Sequence, residues 1–176
     1  MPNAPTQIMI IRHGEKPTGI AGAPTGVMSN GSASAGSLTV RGWTRAGALA
    51  VLFASPPAGL SRPATLICAA YPDATPHRVH ETLEPLAAKL GQPILTLGRK
   101  DEPQAATAAA CAAGPQSVLL CWDHANIPAL AAGIPTTDPV PSFWPEDQFD
   151  KIWIFEHWDG ANYRFRIADQ EVLSPT

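Results

Sequence analysis

Residues 8–15, Ile-Met-Ile-Ile-Arg-His-Gly-Glu, bring an arginine and a histidine directly after a short apolar run. Four apolar residues in a row near the start of a chain are typical of a strand buried on both faces, as in the middle of a parallel sheet. Polar side chains at the carboxyl end of such a strand lie where open α/β sheets bind ligands. We therefore expect Arg12 and His13 to lie side by side at the mouth of a crevice, where Gly14 allows a sharp turn or a close approach.

An arginine beside a histidine suits phosphoryl transfer. Arg12 would present a fixed fork of charged donors that matches phosphate oxygens. A neutral imidazole at His13 can attack phosphorus as a nucleophile, and its other ring nitrogen should then donate to a backbone carbonyl. An Arg-His pair at a strand end also occurs without any function, so this interpretation needs support from the rest of the chain.

The composition indicates a globular protein and gives no sign of a nucleic-acid or membrane partner. Of 176 residues, 45% are apolar and 15% are charged, which predicts one domain over residues 1–176 with a substantial core. Twelve basic and fifteen acidic side chains give a net charge of −3, too balanced to attract nucleic acid or a membrane surface. A cluster of arginines would therefore belong to a local pocket.

The chain lacks the sequence signals of export or membrane insertion. No stretch approaches the roughly 20 apolar residues of a membrane span, and the first residues lack the basic and apolar regions of a secretory signal. Cys68, Cys111 and Cys121 are an odd number without metal-site spacing. They are expected to be free thiols in a reducing compartment, so the predicted location is the cytoplasm.

Apolar runs that suit buried strands alternate with segments whose apolar residues recur at helical spacing. Predicted strands cover residues 8–11, 64–70, 93–97 and 117–122, and predicted helices cover 38–54, 77–90, 104–113 and 127–132. This alternation predicts an α/β fold of three layers, α/β/α, with a mostly parallel central sheet. Residues 151–157 and 162–167 flank Trp158-Asp-Gly-Ala and predict a C-terminal β-hairpin, antiparallel at one edge of the sheet.

Two connections are unusual. Residues 17–37 are rich in glycine, proline and serine, and an irregular connection of about twenty residues is uncommon in a compact domain. Since it leaves directly from the suspected site, we expect a flexible loop next to that site, either a flap or a disordered segment. The turn-rich stretch 71–76 should lead into a helix opened by Pro76.

A second histidine and a second arginine are predicted to reach the same edge of the sheet. His124 follows the strand at 117–122, and Arg78 opens the helix that follows the strand at 64–70. The order Arg12-His13-Gly14-Glu15, Arg78-x-x-x-Thr82 and a strand ending in His124 resembles the histidine phosphatase superfamily, with its phosphoglycerate mutase-like fold. Leu38-Thr39-x-x-Gly42-x-x-x-Ala46 is also similar to the first helix of that superfamily.

The resemblance implies a role for each of these residues. His13 would accept the phosphoryl group and His124 would face it from the other side, while Arg12 and Arg78 would hold its equatorial oxygens. Fixed donors aimed at those oxygens would supply most of the catalysis. His124 adjoins Asp123 and lies near a helix start, so we expect it to carry part of a positive charge.

The general acid is the least determined role. The spacing beyond Arg78 that the resemblance implies points to Glu102 first and Asp101 second, and Glu15 is a third candidate. Glu15 and Lys16 are also candidates for substrate binding because they adjoin the Arg-His motif. Small members that act on a good leaving group, such as phosphohistidine, can dispense with an acid.

The sequence thus predicts a phosphatase that hydrolyses phosphomonoesters or phosphohistidine through a covalent phosphohistidine on His13. Its partner would be a small phosphorylated substrate or a phosphohistidine protein. We expect no metal or other cofactor, since the histidines lack the short spacing of a zinc site. Two alternatives remain: a non-catalytic module that binds phosphorylated ligands with the same pocket, and a phosphotransferase of the phosphoglycerate mutase type.

Overall fold

The computed structural model describes residues 4–71 and 77–174. In these ranges the strands and α-helices follow one another in the predicted order. They are β1 Gln7–Arg12, α1 Val40–Ala54, β2 Thr65–Ala70, α2 Arg78–Leu90, β3 Ile94–Arg99, α3 Gln104–Cys111, β4 Ser117–Trp122, α4 Ile127–Ala131, β5 Lys151–Asp159 and β6 Asn162–Asp169. A short 3₁₀ turn, His124–Asn126, precedes α4. The predicted link at 71–76 and the helix start at Pro76 lie outside the described residues, apart from Tyr71.

The strands form one six-stranded sheet in the order β3-β2-β4-β1-β5-β6. Strands β1, β2, β3 and β4 run parallel. Strand β5 pairs antiparallel with β1 and with β6, so the predicted hairpin does close one edge of a mostly parallel sheet. Strands β1 and β4 are buried along their whole length, as their continuous apolar runs predict.

The helices pack as two pairs, α1 against α2 and α3 against α4. The connections from β1 to β2 and from β2 to β3 run toward the β3 edge of the sheet, whereas the connections from β3 to β4 and from β4 to β5 run in the opposite direction. Because the crossovers are right-handed, the two helix pairs lie on opposite faces of the sheet. The predicted three-layer α/β/α fold is therefore confirmed. None of the helices in the described ranges is long and apolar enough to cross a membrane.

Helix α1 begins and faces the core as its sequence predicts. The hydroxyl of Thr39 accepts a hydrogen bond of 3.2 Å from the amide of Gly42, which caps the helix. One side of the helix is buried, and among its buried residues are Ala46, Leu49, Ala50 and Phe53. Arg45 is also buried on this side, which the apolar pattern did not predict.

The connection at residues 17–37 folds back on itself through backbone hydrogen bonds. The amide of Val27 donates to the carbonyl of Leu38 over 2.8 Å, and that of Ser34 donates to the carbonyl of Gly26 over 2.9 Å. A Cβ at Gly26 would lie 2.2 Å from the Ser34 carbonyl oxygen, so a larger residue does not fit there. The flexibility of this loop stays a prediction.

The cysteines are free thiols. Cys68 and Cys121 are buried, and Cys111 is half-buried. Burial raises the pKa of Cys68 to about 12 and also raises the pKa of Cys121. Unreactive buried thiols of this kind agree with the prediction from their apolar surroundings.

Candidate active site

The ends of the neighbouring strands β1 and β4 bring His13 and His124 together. A ring nitrogen of each histidine and a carboxylate oxygen of Asp123 lie within 4.8 Å of one another. Parallel pairing with Arg12 opposite Trp122 aligns the two strand ends, so the residues that follow each strand share one edge of the sheet.

His13 is held as a neutral imidazole with one nitrogen directed into the site. Its Nδ1 lies 2.7 Å from the carbonyl oxygen of Gly14, which matches the hydrogen bond expected for a nucleophile. Its Nε2 is buried and has no hydrogen-bond partner among residues 4–71 and 77–174. Burial lowers the pKa of His13 to about 3, and the charge of Arg12 acts in the same direction.

Arg12 is fully buried and fixed from one side. Its Nη1 donates to the backbone carbonyls of Glu146 and Gln148, and its guanidinium carbon lies 3.7 Å from the centre of the Phe149 ring. The Nε and Nη2 atoms are buried without a partner in the described part of the chain. Burial lowers the pKa of Arg12 to about 10, so the guanidinium remains charged at neutral pH.

Arg78, at the start of α2, reaches the same region. Its Nη2 donates a hydrogen bond of 2.8 Å to the carbonyl of Ala35 in the 17–37 loop. Its Nε is buried and, within the described ranges, unpaired. The charge of Arg78 contributes to the lowered pKa of His13, which indicates that the two side chains are near each other.

His124 is largely buried. Burial lowers the pKa of His124, and Arg12 lowers it further, although Asp123 opposes them. The lowered pKa does not favour the partly cationic His124 expected from sequence, because desolvation and the charge of Arg12 both act against protonation. Its Nδ1 lies 3.6 Å from Oδ1 of Asp123, beyond normal hydrogen-bond length.

Two arginines of α1 form hydrogen-bonded ion pairs with the Glu15 carboxylate. Arg45 donates to its carboxylate through Nη2 over 2.8 Å, and Nε of Arg41 donates over 3.2 Å. Burial by itself would raise the pKa of Glu15, but the Arg45 hydrogen bonds and charge outweigh burial, so the pKa is lowered. A carboxylate held ionised in this way is poorly suited to donate a proton.

The other acid candidates lie on a different part of the sheet edge. Glu102 and Asp101 are exposed in the loop after β3, and β3 is separated from β4 by β2. Within the described ranges, Asp101 pairs with Arg99 and the Glu102 amide donates to the Arg99 carbonyl. These contacts stay inside the loop and do not join either carboxylate to His13.

Lys16, a substrate-binding candidate from the sequence, lies beside the site and next to Glu146, which the sequence did not connect with the site. Its Nζ is 3.3 Å from a carboxylate oxygen of Glu146. Lys16 and Glu146 border a cavity of about 590 Å³. The residues that line this cavity are Glu15, Lys16, Thr18, Pro24, Thr39, Arg41, Glu146, Asp147 and Phe149. A volume of this size is typical of small-molecule sites.

Five buried nitrogen atoms that have no partner within residues 4–71 and 77–174 make this cluster suitable for an anion. They are Nε and Nη2 of Arg12, Nε2 of His13, Nε of Arg78 and Nδ1 of His124. Buried polar atoms are normally hydrogen-bonded, so unpaired donors on two cations suit an anionic acceptor. The separation of His13, Asp123 and His124 would also suit a metal ion, which the sequence spacing did not suggest. The two neighbouring guanidinium groups oppose a second cation there.

Comparisons by sequence find no family model that matches the chain, and no curated protein matches it. Comparison of structures does find similar folds. The protein histidine phosphatase SixA, complexed with tungstate, is 19% identical with a TM-score of 0.55, and the match covers 93% of this chain and 97% of SixA. SixA from Agrobacterium tumefaciens is 17% identical with a TM-score of 0.55, over 98% of this chain and 99% of its own.

A mycobacterial glucosyl-3-phosphoglycerate phosphatase is similar as well. It is 13% identical with a TM-score of 0.54, over 93% of this chain and 98% of its own length. At these identities the likeness concerns the fold. The fold implied by the Arg-His-Gly motif and its companions is thus confirmed: the chain has the phosphoglycerate mutase-like fold of the histidine phosphatases.

Proposed function

We propose that the protein is a phosphatase that hydrolyses phosphomonoesters or phosphohistidine through a phosphoryl group carried on His13. The observation that carries this proposal is a group of buried nitrogens on Arg12, His13, Arg78 and His124 that are unpaired in the part of the chain that the structure describes. A phosphoryl group offers an oxygen acceptor for each donor and a phosphorus atom for the nucleophile.

Arg12 is well arranged to hold the phosphoryl group. Carbonyls of Glu146 and Gln148 anchor its Nη1, which leaves the edge formed by Nε and Nη2 for two phosphate oxygens. Nε of Arg78 offers a further donor. Donors that are already fixed need no reorganisation as charge develops on the oxygens, so they stabilise the transition state strongly.

His13 would act as the nucleophile. As its Nε2 forms a bond to phosphorus, the bond from phosphorus to the leaving atom, an oxygen in a phosphomonoester or a nitrogen in phosphohistidine, breaks, and the leaving group takes up a proton. Water then attacks the phosphorus, the bond to Nε2 breaks, and inorganic phosphate leaves. The hydrogen bond from Nδ1 to the Gly14 carbonyl keeps the reactive lone pair on Nε2.

The binding-module alternative explains less of this arrangement. A pocket that only binds phosphate would gain from a protonated histidine, whereas burial keeps His13 neutral. The mutase alternative requires a site closed to water. The reactive nitrogens are buried here, so the product decides between the two activities: inorganic phosphate for hydrolysis, a phosphorylated acceptor for transfer.

The substrate class stays open between small phosphomonoesters and protein phosphohistidine. The fold is shared with a protein histidine phosphatase and with a sugar-phosphate phosphatase, so each class has a precedent. A cytoplasmic location is also part of the proposal, because free thiols such as Cys68 and Cys121 suit a reducing compartment.

Trapping the covalent intermediate tests the proposal. The wild type and His13→Ala would be mixed with ³²P-labelled phosphohistidine peptide or a labelled phosphomonoester and quenched rapidly in alkali. An alkali-stable, acid-labile label is expected on the wild type and not on His13→Ala. His157→Ala is the matched control, since His157 lies on the hairpin with its Nε2 3.0 Å from the Gly160 carbonyl oxygen.

Each outcome of this experiment has a clear meaning. If the wild type turns over substrate and no label ever appears on His13, the nucleophile assignment is wrong. If the wild type binds vanadate but hydrolyses nothing in a broad phosphoester and phosphohistidine panel, the binding-module alternative is correct.

Replacing Arg78 with alanine should cost about 2–4 kcal/mol of transition-state stabilisation. Unaltered turnover in this variant would exclude Arg78 from the phosphate pocket.

A further inference from the structure

Asp123 brings a carboxylate into a site that is otherwise built for an anion. One of its oxygens lies within 4.8 Å of ring nitrogens of His13 and His124. Its charge acts on the pKa values of Arg12, His13 and His124, and on that of Tyr71 at the end of β2. The carboxylate is thus surrounded by the groups that would contact the phosphoryl group.

The backbone holds this carboxylate in place. Oδ1 of Asp123 accepts a hydrogen bond of 3.1 Å from the amide of Ala125 and caps the 3₁₀ turn. The same Oδ1 is the atom 3.6 Å from His124. Oδ2 has no hydrogen bond or ion pair within the described ranges, and the side chain is 25% exposed. Oδ1 is therefore fixed, whereas Oδ2 can contact a ligand.

A carboxylate this close to a dianionic phosphoryl group creates a specific electrostatic problem. Two like charges a few ångströms apart in a partly buried site disfavour each other, and the pair relieves the conflict by taking up a proton.

We propose that Asp123 is the general acid of the reaction. This inference rests on the proposed function. As Nε2 of His13 bonds to phosphorus and the phosphorus–oxygen bond breaks, the Asp123 carboxyl gives its proton to the leaving oxygen, which departs as an alcohol. In the second step, water bonds to phosphorus, the phosphorus–nitrogen bond breaks, and Asp123 takes the proton from water.

Asp123 fits this role better than the carboxylates suggested by sequence. Glu15 is held ionised by Arg45 and Arg41. Glu102 is exposed on the loop after the edge strand β3. An oxygen of Asp123 lies within 4.8 Å of a ring nitrogen of each histidine, and a general acid has to lie close to the group that it protonates.

Leaving-group dependence tests the proposal. A poor leaving group such as an alkoxide needs a proton as it departs, whereas p-nitrophenolate does not. Asp123→Asn should reduce kcat for glycerol 2-phosphate by roughly 10²–10⁴-fold and reduce kcat for p-nitrophenyl phosphate far less. Asparagine is a good helix cap, so the 3₁₀ turn should persist, and thermal unfolding would check this.

Two further variants make the comparison specific. Glu102→Gln tests the rival acid, and Asp159→Asn, a substitution of the same type on the hairpin, is the matched control. The ratio of the two rates should change only in Asp123→Asn. The proposal is overturned if Asp123→Asn slows both substrates equally, if Glu102→Gln shows the leaving-group effect instead, or if the wild type hydrolyses p-nitrophenyl phosphate but no alkyl phosphate.

The pH profile provides a readout that a structural role would not change. For glycerol 2-phosphate, kcat should fall as pH rises and the acid loses its proton, and Asp123→Asn should lack this fall. The titratable and charged groups that the charge of Asp123 affects are Arg12, His13, His124 and Tyr71, and they are the same in both proteins. A wild type that forms labelled phosphohistidine but shows an identical profile to Asp123→Asn would refute the acid and retain the proposed function.

Discussion

The backbone amide of Gly14 donates a hydrogen bond of 2.9 Å to the hydroxyl of Thr82, 68 residues away in the chain. The same hydroxyl donates to the carbonyl of Arg78 over 2.7 Å. One small side chain therefore joins the turn that carries His13 to the first turn of α2. This contact gives a physical reason for a threonine four residues after Arg78.

Thr82→Val should weaken both the fold and the reaction. Valine has the shape of threonine but no hydroxyl, so the buried Gly14 amide would lose its acceptor at a cost of about 1–3 kcal/mol. Turnover should also fall, because the anchor between the two halves of the site is lost. Urea unfolding and kcat would be measured together, and Thr82→Ser should restore both.

Thr107→Val is the matched control for this substitution. The hydroxyl of Thr107 donates to the carbonyl of Leu130 over 3.0 Å, and the residue is buried away from the candidate site in α3. We expect a similar loss of stability with little change in kcat at a temperature where the variant is folded. A normal kcat in Thr82→Val would contradict the positioning role of the hydroxyl.

Gly14→Ala should disrupt the site by moving the backbone. A Cβ at this position would lie 2.8 Å from the carbonyl oxygen of Gly42, too close for van der Waals contact. The turn after β1 and helix α1 would have to separate, which displaces His13. Gly47→Ala in the same helix meets no atom within 4 Å and should instead stabilise the protein by roughly 0.5–1 kcal/mol. Thermal unfolding and kcat of both variants check this contrast.

Glu15 should make the stability of the protein depend on acid pH. Its folded-state pKa is lowered from 4.5, so its ion pairs stabilise the fold above that value and are lost as pH falls below it. Glu15→Gln should remove this part of the pH dependence. Urea unfolding between pH 6 and pH 3 would measure it, with Glu171→Gln as an exposed control. Equal slopes for wild type and Glu15→Gln would refute the assignment.

His13 should remain an active nucleophile in mildly acidic solution. An ordinary histidine is protonated below pH 6.5, but burial lowers the pKa of His13 to about 3. Protonation of His13 therefore should not reduce kcat/KM as pH falls from 7 to 5. Measuring kcat/KM for p-nitrophenyl phosphate over this range, with substrate protonation allowed for, tests the statement. The statement is contradicted if kcat/KM shows an inflection near pH 6.5 that persists in every variant of the other histidines, because the inflection would then belong to His13.

The order of strands and helices could be predicted because burial leaves a simple pattern. The apolar runs at β1 and β4 are buried on both faces, and Gly160 and Ala161, the last two residues of the predicted turn, separate the strands of the hairpin. The meeting of His13 and His124 could also be predicted, since both follow parallel strands. Neither inference needed knowledge of side-chain contacts.

The groups that complete the site could not be predicted in the same way. Residues 146–149 contact Arg12 through backbone carbonyls and the Phe149 ring, and irregular segments show no periodicity that would signal this. Arg45 is buried because Glu15 accepts its hydrogen bonds, a pairing between distant segments. The spacing beyond Arg78 favours Glu102, whereas the order of the strands determines which carboxylates lie near His13.

The hairpin at the edge of the sheet also affects how rigid the candidate nucleophile is. Because β5 pairs with β1 on the side opposite β4, β1 is an interior strand with hydrogen-bonded neighbours on both sides. Its amides should be among the slowest in the protein to exchange with deuterium, since their release requires global unfolding. His13 directly follows this slowly exchanging strand. The approach of its Nε2 to a phosphorus atom should therefore depend more on the motion of the substrate than on the motion of the histidine.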